Sequence, residues 1–229
     1  MVTTVLKIVR EYGKEPYKYL VLHGGPGAPG CAAGLCRGLS EKAGVLEHLQ
    51  KSHTIEGLFG EIKSIIEEYS LNKVVLVGHS FGAWLALLFT EKFPQLVSKV
   101  VIIGCGPLEI KYLPELIEAR RTRNGDNYCA LPGSSDDMLY FDAEQQNALM
   151  KEIGEMRKCG ELLRRVLNVK CPVLAFHGIF DPHPIRGINE PLKSKLPEFC
   201  MITIDKCGHD PWKETYAREE FFEKFFEIV

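Results

Sequence analysis

Val74-Val75-Leu76-Val77-Gly78-His79-Ser80-Phe81-Gly82-Ala83-Trp84-Leu85-Ala86-Leu87-Leu88-Phe89 is the stretch from which the architecture can be read. It opens on an unbroken apolar run rich in β-branched residues, the pattern of a strand buried on both faces. It closes on an apolar segment of helical length. Between them stands Gly-x-Ser-x-Gly, and the order strand, sharp turn, helix makes those five residues a nucleophile elbow. The glycines have a mechanical task, since strand and helix approach too closely for a Cβ at either flanking position. The turn leaves the Ser80 hydroxyl projecting from the sheet edge, and the following helix aims its unpaired N–H groups at it. A plain Gly/Ser turn between two core elements would need neither flank.

Outward from this stretch the chain alternates strand and helix, which implies an α/β fold: one mostly parallel sheet with helices on both faces. Strands are expected at Val5 to Val9 and Tyr17 to Leu22, joined by a turn around Tyr12-Gly13-Lys14. A helix is expected within Cys31 to Lys42 and a short strand at Gly44 to Leu49. Thr54 to Tyr69 carries a helical stripe at Ile55, Leu58, Phe59, Ile62, Ile65 and Ile66, with Thr54 as N-cap. The elbow helix runs to Phe93 and stops at Pro94. Further strands follow at Val97 to Ile103, Pro172 to His177 and Cys200 to Ile204, then a last helix from Thr215 to Ile228. Residues 1–229 read as a single domain. Residues 107–168 break the alternation with candidate helices at Leu113 to Arg123, Ala143 to Arg157 and Glu161 to Leu167. A loop at Leu131-Pro132-Gly133-Ser134-Ser135-Asp136-Asp137 sits among them. About 60 residues is long for one crossover, so a small helical lid over the sheet edge is expected there.

Composition narrows the function classes. The 229 residues are 45% hydrophobic and 25% charged with a formal net charge of −2, ordinary for a globular chain. No basic stripe is present to gather phosphates, so nucleic acid is not an expected partner. No run approaches the ~18 apolar residues that span a bilayer, and the first residues lack a signal-peptide core. Eight cysteines form no Cys-x-x-Cys pair and no paired His spacing, so neither zinc nor a disulfide framework is expected. A reduced, cytoplasmic protein is the reading that fits.

A serine at such a turn needs a base, and the base needs an orienting acid. Asp181 follows the strand Pro172 to His177, in the loop Ile179-Phe180-Asp181-Pro182-His183-Pro184. His209 follows the strand that ends near Asp205-Lys206-Cys207-Gly208. Ser80, Asp181 and His209 thus each follow the carboxyl end of a different strand, where ligands bind in open α/β sheets. His183 and His177 compete as bases, but one is too near the acid in sequence and the other lies within a strand. Asp205 and Asp210 compete as acids, yet both neighbour His209 and would have to fold back on it. Finally, His23-Gly24-Gly25-Pro26-Gly27 follows the strand Tyr19-Leu20-Val21-Leu22. Its backbone N–H groups suit an oxyanion hole, with Gly25 as one donor and Phe81, after the nucleophile, as the other. His23 and Gly24 are the expected substrate-binding neighbours.

With these residues in place, the chain resembles the α/β-hydrolase superfamily, and His23-Gly24-Gly25-Pro26-Gly27 is similar to the motif of its proline iminopeptidase branch. The resemblance runs from about Tyr17 to Phe226 and matches the insertion in position only. It departs at Arg37-Gly38-Leu39-Ser40, a remnant of the Arg-Gly-x-Gly turn of that branch. The resemblance implies acyl transfer to water through an acyl-enzyme, with no metal or organic cofactor. In that branch acidic lid residues hold a substrate's free amine; Glu115, Glu118, Asp136 and Asp137 are available here. A small carboxylic ester is the expected substrate, with a short peptide or arylamide of the iminopeptidase kind as the alternative. A protein of this fold that only binds a small ligand is a further alternative, though it would need no such set of reacting groups. With His209 as base, activity is expected to fall below about pH 6.5.

Overall fold

The computed structural model describes residues 8–122 and 137–229. Strand β4 (Val74–His79) is buried along its whole length because the sheet continues on both sides of it. Its neighbours are β2 (Tyr17–Leu22) and β5 (Val97–Ile103), so that Val77 lies opposite both Val21 and Val101. With β1 (Val9–Tyr12), β3 (Gly44–His48), β6 (Val173–Gly178) and β7 (Phe199–Ile204) they form one seven-stranded sheet, ordered β1-β3-β2-β4-β5-β6-β7. Every pairing is parallel except β1 with β3. After β3 the chain crosses over β2 to start β4, and this reversal of strand order opens a crevice at the carboxyl ends of the central strands.

Side-chain alternation along β4 divides the core in two. Val74 and Leu76 point to one face, packed with α2 (Ile55–Glu68) and α3 (Phe81–Lys92). Val75 and Val77 point to the other, where α1 (Ala33–Leu39), α8 (Arg218–Ile228) and Trp212 close over the sheet. Helix α3 is buried from Phe81 through Thr90, as a helix apolar all round must be. Thr54 caps α2 by accepting a hydrogen bond from the Gly57 N–H at 3.1 Å, which satisfies one of the donors left open at a helix start.

Within 107–168 the described residues form α4 (Leu113–Thr122), α5 (Ala143–Lys158) and α6 (Glu161–Val166). Most of the expected loop, residues 131–136, lies outside the described residues. Helix α6 packs on α3 and contributes Leu162 and Val166 to the main core, so the end of this stretch belongs to the sheet layers. Helix α4, with only Leu116 buried, stands away from them.

Two boundaries differ from the sequence expectation by more than two residues, and one α-helix was not expected. Residues 5–7 of the first expected strand are outside the described residues, and the described strand begins at Val9 and reaches Tyr12. Tyr12 is held in the sheet by its hydroxyl, which donates to the buried Glu47 carboxylate at 2.6 Å. Helix α7 (Arg186–Lys193) lies in a stretch to which the sequence reading gave no element; Gly187 and Pro191 mask its periodicity. Helix α8 starts at Arg218, because the chain first makes a 3-10 turn over Pro211–Lys213.

Candidate active site

Ser80 follows β4 with φ 52° and ψ −112°, a conformation that is costly for a residue with a Cβ. The surroundings hold it there. Its N–H donates to the Ile103 carbonyl at 2.9 Å, and its own carbonyl accepts from the Ala83 N–H at 3.1 Å. A Cβ on Gly78 would collide with the Gly82 carbonyl, and one on Gly82 with the Leu22 carbonyl. The elbow glycines are therefore required by close backbone approach, as the sequence implies.

Asp181 and His209, expected as acid and base, are brought together: His209 Nδ1 lies 2.7 Å from Asp181 Oδ2. Asp181 is 4% exposed. Burial alone would raise its pKa, but the His209 charge and hydrogen bonds from His183 and His209 hold it well below the ordinary carboxylate value. Burial alone would lower the His209 pKa, and the Asp181 charge with its hydrogen bond outweighs this and raises it. The imidazole is thus stabilised in its positive form, as a base accepting a proton requires. The rival acid Asp210 lies elsewhere, with Oδ1 3.3 Å from His79 Nε2.

The His23-to-Gly27 turn lies beside the elbow. A Cβ built on Gly24 would come 2.7 Å from Ser80 Cβ. Gly25, Ser80 and Phe81 share one cavity of about 450 Å³, a size suited to a small ligand. His23, expected as a substrate-binding neighbour, has its ring fully buried, with Nδ1 2.8 Å from the Gly24 carbonyl. Burial lowers its pKa to about 4, so it is a neutral brace beneath the turn. Gly24 is likewise buried and packs against His79 and Ser80 instead of facing the cavity.

Several residues of this site carried no signal in the sequence. His183, set aside there as a base, uses the second carboxylate oxygen: its Nδ1 and backbone N–H lie 2.7 and 2.9 Å from Asp181 Oδ1. With that proton on Nδ1, its Nε2 accepts from Arg120 Nη2 at 3.2 Å. Asp181 therefore holds two imidazoles, one on each oxygen. Asp181, His183 and His209 bring one ligand atom each within 4.8 Å of one another, but both carboxylate oxygens already accept N–H hydrogens. His79, in the variable position of the elbow, is held neutral, burial lowering its pKa to about 3. Its Nε2–H points to the His209 carbonyl at 3.2 Å and ties the base loop to the elbow. Glu214 cradles the same loop, accepting from the Gly208 and Asp210 N–H groups at 2.6 and 3.1 Å.

The other wall of the cavity comes from the inserted helices: Leu113, Leu116, Ile117 and Arg120 of α4, and Gln146, Met150 and Arg157 of α5. No carboxylate lines it among the described residues. The acidic residues expected near a substrate amine are paired elsewhere: Glu115 with Arg186 at 3.0 Å, Glu118 with Arg121 at 2.9 Å and Asp137 with Arg37 at 2.6 Å. Asp136 lies outside the described residues. Among these residues no helix is long and apolar enough to cross a membrane.

Comparison with known proteins agrees with this fold. Residues 22–224 match the model of a family described as "Alpha/beta hydrolase family". Protein ABHD8 of Bos taurus is 25% identical over 149 residues, 57% of this chain and 34% of that protein. The match thus spans about a third of that relative's length. The crystal structure of E-2-(acetamidomethylene)succinate hydrolase superposes with a TM-score of 0.72 at 17% identity, over 96% of this chain and 93% of that one. MGS-MChE2, from the metagenome of lagoon sediments at Mar Chica, Morocco, gives 0.67 at 22% identity over 96% and 92% of the two chains. At such identities the likeness concerns the fold.

Proposed function

Since the chain belongs to the alpha/beta hydrolase family, we propose that it is a serine hydrolase acting on a small carboxylic ester through an acyl-enzyme. The observation that carries this reading is the Asp181–His209 pair at 2.7 Å, in a fold whose elbow holds Ser80 at positive φ. His209 takes the Ser80 proton as Oγ attacks the ester carbonyl carbon, and Asp181 fixes the imidazole tautomer and balances its charge. The N–H groups of Phe81 and Gly25 receive the oxyanion. His209 then protonates the leaving alkoxide, and water, deprotonated by the same imidazole, releases the acid. Helices α4 and α5 act as the lid of this cavity.

An ester is favoured over an iminopeptidase substrate because the cavity offers no carboxylate to a free amine among the described residues, while it does offer two arginines. The described cysteines are all free, with Cys36, Cys105 and Cys207 buried, which fits a reducing, cytoplasmic setting.

A fluorophosphonate probe tests the nucleophile, since it reacts only with an activated serine. The native protein is expected to label and Ser80→Ala to remain unlabelled. Equal labelling of both, or of neither, would remove Ser80 from its role. A panel of p-nitrophenyl esters beside aminoacyl-arylamides then ranks the substrates, and exclusive cleavage of the proline arylamide would overturn the ester reading.

A further inference from the structure

Arg157 is 9% exposed, yet no carboxylate pairs with it among the described residues. Its Nε donates to the Pro107 carbonyl at 2.9 Å, and its guanidinium lies over the Trp84 ring at 4.6 Å from the centroid. Trp84 is itself fixed by its indole N–H, which donates to the Gly106 carbonyl at 3.0 Å. The guanidinium is therefore locked in one orientation on the cavity wall. A guanidinium cannot shed its proton, and a buried charge with no counter-ion is expensive. Burial, opposed by Cys105, lowers its pKa.

Arg120 lines the same cavity, from α4. Its one described hydrogen bond goes to neutral His183 Nε2, which leaves its charge without an acidic partner in contact among the described residues. Two arginines from two inserted helices thus meet one cavity with Ser80, and Leu116, Ile117 and Met150 line the same cavity. Planar guanidinium forks match carboxylates with paired, charge-assisted hydrogen bonds.

We infer that Arg157 and Arg120 form a carboxylate subsite, so that the preferred ester carries a free carboxylate on a short apolar spacer from its scissile carbonyl. The inference rests on the ester-hydrolase reading, which it makes more specific. It supplies the missing counter-ion of Arg157. It also gives substrate recognition a route to the acid: an anion on Arg120 loads the residue that hydrogen-bonds His183, which in turn holds Asp181.

The test separates binding from chemistry by using folded Ser80→Ala protein. Monomethyl adipate and its neutral counterpart, the methyl ester of adipic acid monoamide, are titrated by calorimetry at low salt. The acid is expected to bind at least tenfold tighter than the amide, and added salt should erode the difference. Arg157→Gln and Arg120→Gln in the Ser80→Ala background should each remove most of that preference, and Arg157→Lys should keep part of it; near-ultraviolet circular dichroism confirms folding. Amide binding equal to acid binding, or binding of neither, would overturn the subsite, as would a preference that survives Arg157→Gln in a folded protein. Fluorophosphonate labelling of the wild-type protein reports independently on Ser80, so failure of the subsite is distinguishable from failure of the nucleophile.

Discussion

Asp181 is the side chain on which most of the site converges. One oxygen faces His209 and the other faces His183, each at 2.7 Å. In Asp181→Asn the amide presents an N–H where one imidazole needs an acceptor, so one ring must turn or change tautomer. Turnover should fall by a factor on the order of 10⁴. Asp210→Asn should cost far less, because Asp210 contacts His79 and not His209 Nδ1. Comparable losses in both variants would relocate the acid. The sign of the pH dependence follows from the same contact. The raised His209 pKa keeps the imidazole protonated above its ordinary range, and in the proposed mechanism only the neutral ring accepts the Ser80 proton. The acid limb of kcat/KM should therefore have its midpoint above 6.5, higher than the sequence alone suggests, and in Asp181→Asn it should move down. A limb that stays put in that variant would mean the carboxylate does not act on the base.

Elements, by contrast with these contacts, were largely legible beforehand. The runs opening β4 and β6, and Val100 to Ile103 of β5, are continuous and apolar, and the α2 stripe and Thr54 cap follow local rules that tertiary contacts did not override. What escaped were features made by packing between segments remote in sequence. Gly104, just past β5, is one. A Cβ there would lie 2.8 Å from His209 Nδ1 and 3.1 Å from Asp181 Oδ2, and its φ is +57°. Nothing in Ile102-Ile103-Gly104-Cys105 announces that an acid–base pair rests on that glycine. His183 and Arg120 escaped for the same reason, since their partnership joins residues 63 apart. Gly104→Ala should cost about 1–2 kcal/mol of stability through its positive φ. By displacing the pair it should also lower kcat by roughly 10²-fold, with KM little changed. Thermal melts and steady-state kinetics measure the two effects, and retained turnover would show that the glycine serves the fold alone.

At the scale of the whole molecule, residues 80, 181 and 209 follow the carboxyl ends of β4, β6 and β7, where the proposed mechanism needs them together, and the interposed helices supply the far wall of the cavity beside Ser80. No short segment contains the site, which has a consequence in time. The strands pair in parallel, so each contact closes a long loop, and such contacts form late in folding. Helices such as α2 and α3 can regain their backbone hydrogen bonds well before β7 docks on β6 and delivers His209. Upon dilution from denaturant, far-ultraviolet ellipticity should return first, and reactivity toward a fluorophosphonate should follow after a measurable lag. The nucleophile would then serve as a clock for the last event of assembly. A chain that looks folded by its helices would still be chemically silent until its two edges had closed on the centre.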